Sequence, residues 1–398
     1  MSFAARDTAR RQATAFLTLG FRPFFLAAGL WSAAAIALWI VMFATGTALA
    51  SRFDPLTWHI HEMLFGFVMA AVAGFLLTAI PNWTQRPAVS GDKLALLVGL
   101  WSLGRIACLV SALVPAWFAA VADLSFPVVL VAVVAREIVA GRNWRNLPMV
   151  LPVTVLGVAN LLMHLEADGV AVPAGLGWRL GLAAVIILIS AVAGRIVPSF
   201  TRNWLAKHSV SSLPAVPGWI DRAALFTLHV GLIGWAFLPN FHPVGVLLLL
   251  GAALNLWRLS RWRGMATAAE PLLLILHIGY AWLVLGAALL GLSMLDTDLP
   301  SSAAIHTLTA GAIGTMILAV MTRVARGHSG RDLSADRNTC AIYILVILAA
   351  IARVGAAFAP GWMMPLLVIS ACLWISAFGA FLFVYGPMLI LPRVDHER

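Results

Sequence analysis

The feature that most constrains this chain is its succession of long apolar runs. They fall at 24–45, 57–80, 94–114, 116–140, 147–166, 176–197, 219–239, 242–259, 270–293, 303–324, 339–358 and 362–390. They have 18 to 29 residues, enough for an α-helix to cross about 30 Å of hydrocarbon. The breaks between them carry turn residues: Pro81-Asn82, Pro115, Pro148, Gly175, Pro217-Gly218, Pro239-Asn240, Pro300 and Pro360-Gly361. No segment alternates apolar and polar residues, so a transmembrane β-barrel is excluded. With 62% of its 398 residues hydrophobic and only 11% charged, the chain has little room for a soluble domain. The expected fold is an all-α polytopic membrane protein of twelve transmembrane helices. It has an N-terminal segment at 1–23, a membrane domain at 24–390 and a tail at 391–398.

Lys and Arg set the expected orientation. Alternate connections hold Arg6, Arg10, Arg11 and Arg22; Arg86 and Lys93; Arg136, Arg142 and Arg145; Arg195, Arg202, Lys207 and Arg222; Arg258, Arg261 and Arg263; Arg323, Arg326, Arg331 and Arg337; and Arg393 and Arg398. The other side holds only Arg52 and Arg179, with Glu166, Asp168, Asp296 and Asp298. Positive residues stay on the cytoplasmic side, so both termini are expected there, in a bacterial inner membrane. Arg10-Arg11 and Thr47-Ala48-Leu49-Ala50 have some features of a signal peptide, but the run between them is long, and it reads as a retained first helix. The net charge of +10 is scattered and forms no nucleic-acid patch. Cys108, Cys340 and Cys372 show no CxxC or Cys/His zinc spacing, which supports neither a disulfide framework nor a thiolate metal site.

Ionisable groups inside spans are costly and mark candidate sites. Trp58-His59-Ile60-His61-Glu62-Met63 opens the second span. At 100° per residue His59 and Met63 share one helix face, and His61 points away from it. His61 and His306 lie at similar depth near the outer ends of spans 2 and 10. Each precedes a glycine, Gly66 or Gly311, by five residues. Such a pair can hold a haem from two helices, with the glycines leaving room for the macrocycle. A histidine bonded to a backbone carbonyl is the alternative for either. Arg105 and Arg353 lie inside spans 3 and 11, where a guanidinium needs an anionic partner. Haem propionates, or the acids Asp123 and Glu62, can supply it. An Arg105–Asp123 pair that only fastens two helices is the other reading. His229 lies about 14 Å into span 7 and His277 about 10 Å into span 9. With His59 and Met63 they are candidate copper ligands, although lone buried histidines are commonly structural. Arg195 is expected to snorkel to the interface. The Gly327–Arg331 turn lacks the ending of a phosphate-binding loop. A weak repeat relates spans 2–4 to spans 10–12. The same spacing separates His61 from His306 and Trp117 from Trp362, and nearly the same separates Arg105 from Arg353. It suggests three groups of four helices.

The stretches LGFRPFF (19–25), WHIHEMLFGF (58–67), GRIVPSFTRNW (194–204) and HTLTAGAIGTMILAVMTRVARGHSGR (306–331) together resemble the NnrS family, membrane proteins of the nitric oxide response. The resemblance implies haem, expected as b-type, and copper. It also implies protection against nitric oxide, with an electron donor left open. More distantly the layout is similar to the catalytic subunit of haem–copper oxidases, which has twelve helices in three arcs of four and a low-spin haem between helices 2 and 10. His61 and His306 fall at matching positions. That family's adjacent His-His pair and its copper histidine on helix 6 have no counterpart here. The expected function is therefore a haem and copper protein contributing to nitric oxide resistance or metabolism, with turnover left open. A secondary transporter, or a haem-binding sensor or assembly factor without turnover, are the alternatives.

Overall fold

A computed structural model describes residues 15–394. Among them the chain is helical throughout, with no strand. Twelve long helices follow the expected order: α1 (Phe21–Thr45), α2 (Pro55–Thr84), α3 (Asp92–Leu109), α4 (Ala116–Ala140), α5 (Val150–Ala167), α6 (Leu176–Lys207), α7 (Trp219–Phe237), α8 (His242–Ser260), α9 (Pro271–Ser293), α10 (Ser301–His328), α11 (Arg337–Phe358) and α12 (Met363–Ile390). Eleven are long and apolar enough to cross a membrane. The twelfth, α3, has eighteen residues and carries Asp92, Lys93 and Arg105. The chain is a multi-pass helical membrane protein.

Local chemistry explains the boundaries. The carboxylate of Asp54 caps α2, accepting from the amides of Leu56 (3.0 Å) and Thr57 (3.2 Å), with Pro55 at the first helical position. Gly46 closes α1 with φ +69°. Asp336 caps α11 through the Thr339 amide at 2.8 Å. The helices extend past the apolar runs at several ends: α1 begins at Phe21, α6 continues to Lys207 and α10 to His328. The first-span limit of 24 was set by hydropathy, whereas Arg22 and Pro23 are helical and buried. Residues 1–14 of the expected N-terminal segment, including Arg6, Arg10 and Arg11, and residues 395–398 of the tail lie outside the described residues.

The chain divides into two compact units. The first holds the described residues up to Gly181, with Met321–Leu333 and the chain from Phe378 on. Within it α1 packs on α2, α3 on α4, and α4 on both α2 and α5. The second holds Leu182–Val320 and Ser334–Ala377. There α8 packs between α7 and α9, and α10 packs on α9 and α11.

Two helices change winding at one point each. In α2 the stretch Glu62–Val68 is π-helical, and in α10 the stretch Thr307–Gly314 is. Each begins immediately after the histidine that the weak repeat equates, His61 or His306. A π turn is rare and concentrates at functional positions. α2 and α10 are also the most buried spans, at 83% and 72%. Both irregular segments therefore lie in protein and not against lipid, as membrane depth requires.

A candidate metal centre within the first unit

The first unit buries seven polar side chains in one cluster. α2 supplies His61 and Glu62, α3 Arg105 and Cys108, α4 Asp123, and α5 Asn160 and His164. Helical spacing brings the pairs to one face: Arg105 and Cys108 are three apart, Asn160 and His164 four. Gly104 lets α3 approach α4 closely, because a Cβ there would lie 2.7 Å from Asp123 Oδ1.

Arg105 joins the two acids. Its Nη1 donates to Glu62 Oε2 at 2.8 Å and its Nη2 donates to Asp123 Oδ1. The indole Nε1 of Trp31 donates to the same Glu62 Oε2 at 2.7 Å. The other oxygen, Oε1, meets His61 Nδ1 at 3.0 Å. His61 Nε2 faces Asn160 Oδ1 at 2.8 Å and Asp123 Oδ2 at 3.2 Å. Asp123 Oδ2 is also met by His164 Nε2 at 3.0 Å and Asn160 Nδ2 at 2.9 Å. Phe53 stacks on the His61 ring, with centroids 4.5 Å apart, and lies 5.2 Å from His164. One ligand-capable atom from each of His61, Cys108, Asp123 and His164 lies within 4.8 Å of the others.

Each expected haem residue has its surroundings within its own unit. Both nitrogens of His61 are engaged in the cluster. Arg105 is paired with Glu62 and Asp123, the acids named for it from its depth. Gly66 is covered by Trp31: a Cβ there would lie 2.4 Å from its Nε1. Gly311 is covered in the same way by Trp282, whose ring a Cβ would meet at 2.8 Å. The glycines thus admit tryptophans, where the sequence suggested room for a macrocycle. In the second unit, His306 Nδ1 donates to the Ser302 carbonyl at 2.7 Å, the local bond anticipated as an alternative. Arg353 is half-buried on α11, with no acid partner among the described residues.

The expected copper residues also have local surroundings of their own. His59 stacks on Trp39 of α1 at 4.4 Å, on a different face of α2 from His61, as the helix geometry requires. Met63 is half-buried. His229 Nε2 meets Ser190 Oγ at 2.8 Å, and His277 Nε2 meets Thr201 Oγ1 at 2.9 Å. Ser190 and Thr201 are both on α6, three turns or about 16 Å apart along its axis. His229 and His277 therefore sit at separate levels, each satisfied by a hydroxyl.

His164, Asn160 and Cys108 belong to the cluster and were not anticipated in it. The available signal was pairing on a helix face: Asn160 with His164, and Cys108 with the intramembrane Arg105.

Residues of two other distinctive stretches make packing contacts within their units. Arg22 of LGFRPFF donates to the Leu389 carbonyl at 3.2 Å and to that of Leu391, holding the end of α12. Gly194 gives way to the Arg258 guanidinium, which would overlap any Cβ there. Arg258 in turn bonds Asp221 at 3.1 Å and Tyr280 Oη at 2.8 Å. Arg195 is exposed.

Fold and site together define a polytopic helical membrane protein with a buried ionic cluster on four neighbouring helices. A family model described as NnrS protein matches residues 15–393, nearly the whole chain, and the chain belongs to that family. No curated protein matches it.

Proposed function

We propose that this protein is a metal-containing component of the bacterial inner membrane that helps the cell withstand nitric oxide. Membership of the NnrS family over residues 15–393 carries this reading. The buried cluster supports it, because charged groups inside spans are retained where they have a task. Nitric oxide is small and apolar enough to reach a site between helices from the lipid, and metal centres are the groups that bind it. The family resemblance further implies haem and copper. His306, one of the two expected haem histidines, has its Nδ1–H tied to the Ser302 carbonyl, which fixes its tautomer and ring orientation. His61, the other, is hydrogen-bonded within the polar cluster.

The test is the absorption spectrum of the purified full-length protein, before and after addition of nitric oxide, with haem and metal contents measured on the same sample. A haem spectrum that shifts with nitric oxide and is lost in His306→Ala supports the reading. A protein without haem or metal, in cells whose tolerance of nitric oxide is unchanged by its loss, overturns it. The paired π-helical stretches after His61 and His306 favour a second reading, transport by two related halves. Uptake into vesicles by a protein lacking both haem and metal is its signature.

A further inference from the structure

We propose that His61 Nε2, Cys108 Sγ, Asp123 and His164 Nε2 form a binding site for one divalent first-row transition-metal ion inside the helical bundle. The inference stands on the geometry of the first unit and does not rest on the nitric oxide reading.

Three observations carry it. First, four ligand atoms from four helices converge within 4.8 Å, and all four residues are buried. Two imidazoles, a thiolate and a carboxylate make a donor set suited to Zn²⁺ or Cu²⁺. Second, the polar atoms crowd one oxygen. Asp123 Oδ2 is approached by His61 Nε2, His164 Nε2 and Asn160 Nδ2 at 3.2, 3.0 and 2.9 Å. His164 and Asn160 occupy the two lone pairs of that oxygen, and His61 Nε2 is held beside it by Asn160 Oδ1 at 2.8 Å. A cation among these atoms turns the crowding into coordination. Third, the next layer of contacts is already in place. Glu62 Oε1 holds His61 Nδ1 at 3.0 Å, the carboxylate–histidine arrangement that aims the other ring nitrogen at a metal. Glu62 is itself fixed by Arg105 at 2.8 Å and Trp31 at 2.7 Å.

The charge count agrees. Arg105, Glu62 and Asp123 together carry one net negative charge. A divalent ion bound to the Cys108 thiolate adds one net positive charge, and the site is neutral. Neutrality matters because a net charge is expensive at this depth. His59, which stacks on Trp39, is not among its ligands.

Cobalt is the probe, because Co²⁺ bound by thiolate and imidazole in a tetrahedral site has visible absorption and a sulfur charge-transfer band. The full-length protein in detergent, stripped with a chelator, is titrated with Co²⁺, then competed with Zn²⁺ or Cu²⁺. One equivalent with a sulfur charge-transfer band is expected. Cys108→Ala should abolish that band, and His164→Gln should weaken binding at least tenfold. Cys108→Ala replaces a small buried side chain by a smaller one, so a thermal-unfolding midpoint near wild type certifies its fold. His59→Ala, outside the cluster, should leave the titration unchanged. Wild-type protein that binds no Co²⁺ beyond the Cys108→Ala level overturns the site. Haem content and nitric oxide tolerance are read on the same variants. A protein that keeps both and lacks the cobalt site overturns this inference alone.

Discussion

Arg105 shows what a buried charge commits its neighbours to. Its guanidinium holds Glu62 of α2 and Asp123 of α4 together, and all three are almost wholly buried. Replacing it with methionine leaves two carboxylates facing each other without a cation. We expect Arg105→Met to cost about 3–5 kcal/mol, the usual penalty for breaking a buried pair from one side. Thermal unfolding in detergent measures it. Adding Asp123→Asn should recover part of the loss, because one orphaned charge is then gone. A double variant as unstable as the sum of the singles would show that the charges act independently. The need of Arg105 for an acid was legible in the sequence, since its depth made an unpaired guanidinium expensive. The choice between acids and haem propionates was not, because both offer the same anionic oxygens. His164 was harder still. Its partner Asp123 lies on another helix, and only tertiary packing brings them together.

At the scale of elements, the two π-helical stretches are the feature that hydropathy does not reveal. A π turn changes the winding without changing composition, and Glu62–Val68 and Thr307–Gly314 read as ordinary apolar helix. The pairing of His61 with His306 and Gly66 with Gly311 was nonetheless visible as a repeat, and both positions carry the same irregularity. Each glycine accepts a tryptophan, so Gly66→Ala and Gly311→Ala should each destabilise by about 1–3 kcal/mol through overpacking. Gly355→Ala, whose Cβ would meet nothing within 4 Å, should stay within about 0.5 kcal/mol. Intrinsic fluorescence should shift in Gly66→Ala, as Trp31 leaves its bond to Glu62. The cap of α2 makes a separate prediction. Burial raises the Asp54 pKa, but hydrogen bonds from the Thr57 hydroxyl and the Thr57 and Leu56 amides outweigh it and hold the carboxyl below its usual value. Its contribution is thus complete above the usual carboxylate range and lost as the pH falls through the lowered value. Asp54→Ala should cost about 1 kcal/mol at neutral pH. The gap to wild type should close in acid, which unfolding midpoints against pH would follow.

For the whole molecule, span limits were the most legible quantity. Each of the twelve apolar runs corresponds to a helix, because a hydrocarbon interior demands both length and closed backbone hydrogen bonding. The division into two packed units was not legible, since lateral packing leaves little trace in hydropathy. Orientation belongs to this scale as well. The loops α2–α3, α4–α5, α6–α7, α8–α9 and α10–α11 hold most of the basic residues between helices. Arg52 lies in the α1–α2 loop, with Asp54. Twelve crossings would keep these two sets on opposite sides, and removing an internal one would mix the sets. The basic loops are expected in the cytoplasm, with both termini. Reporter fusions at Arg142 and Arg331 should therefore read as cytoplasmic, and fusions at Arg52 and Asp296 as external. The short helix α3 is the place where this count is most exposed. It has eighteen residues and three charges, so a fusion at Arg52 and one at Val114 test whether it crosses alone. Both should report the external side, with Lys93 between them reporting the cytoplasm. A cytoplasmic signal at Val114 would mean that α3 does not cross. Arg105 would then lie at a different depth from Asp123 and Glu62, and the cluster could not form as described.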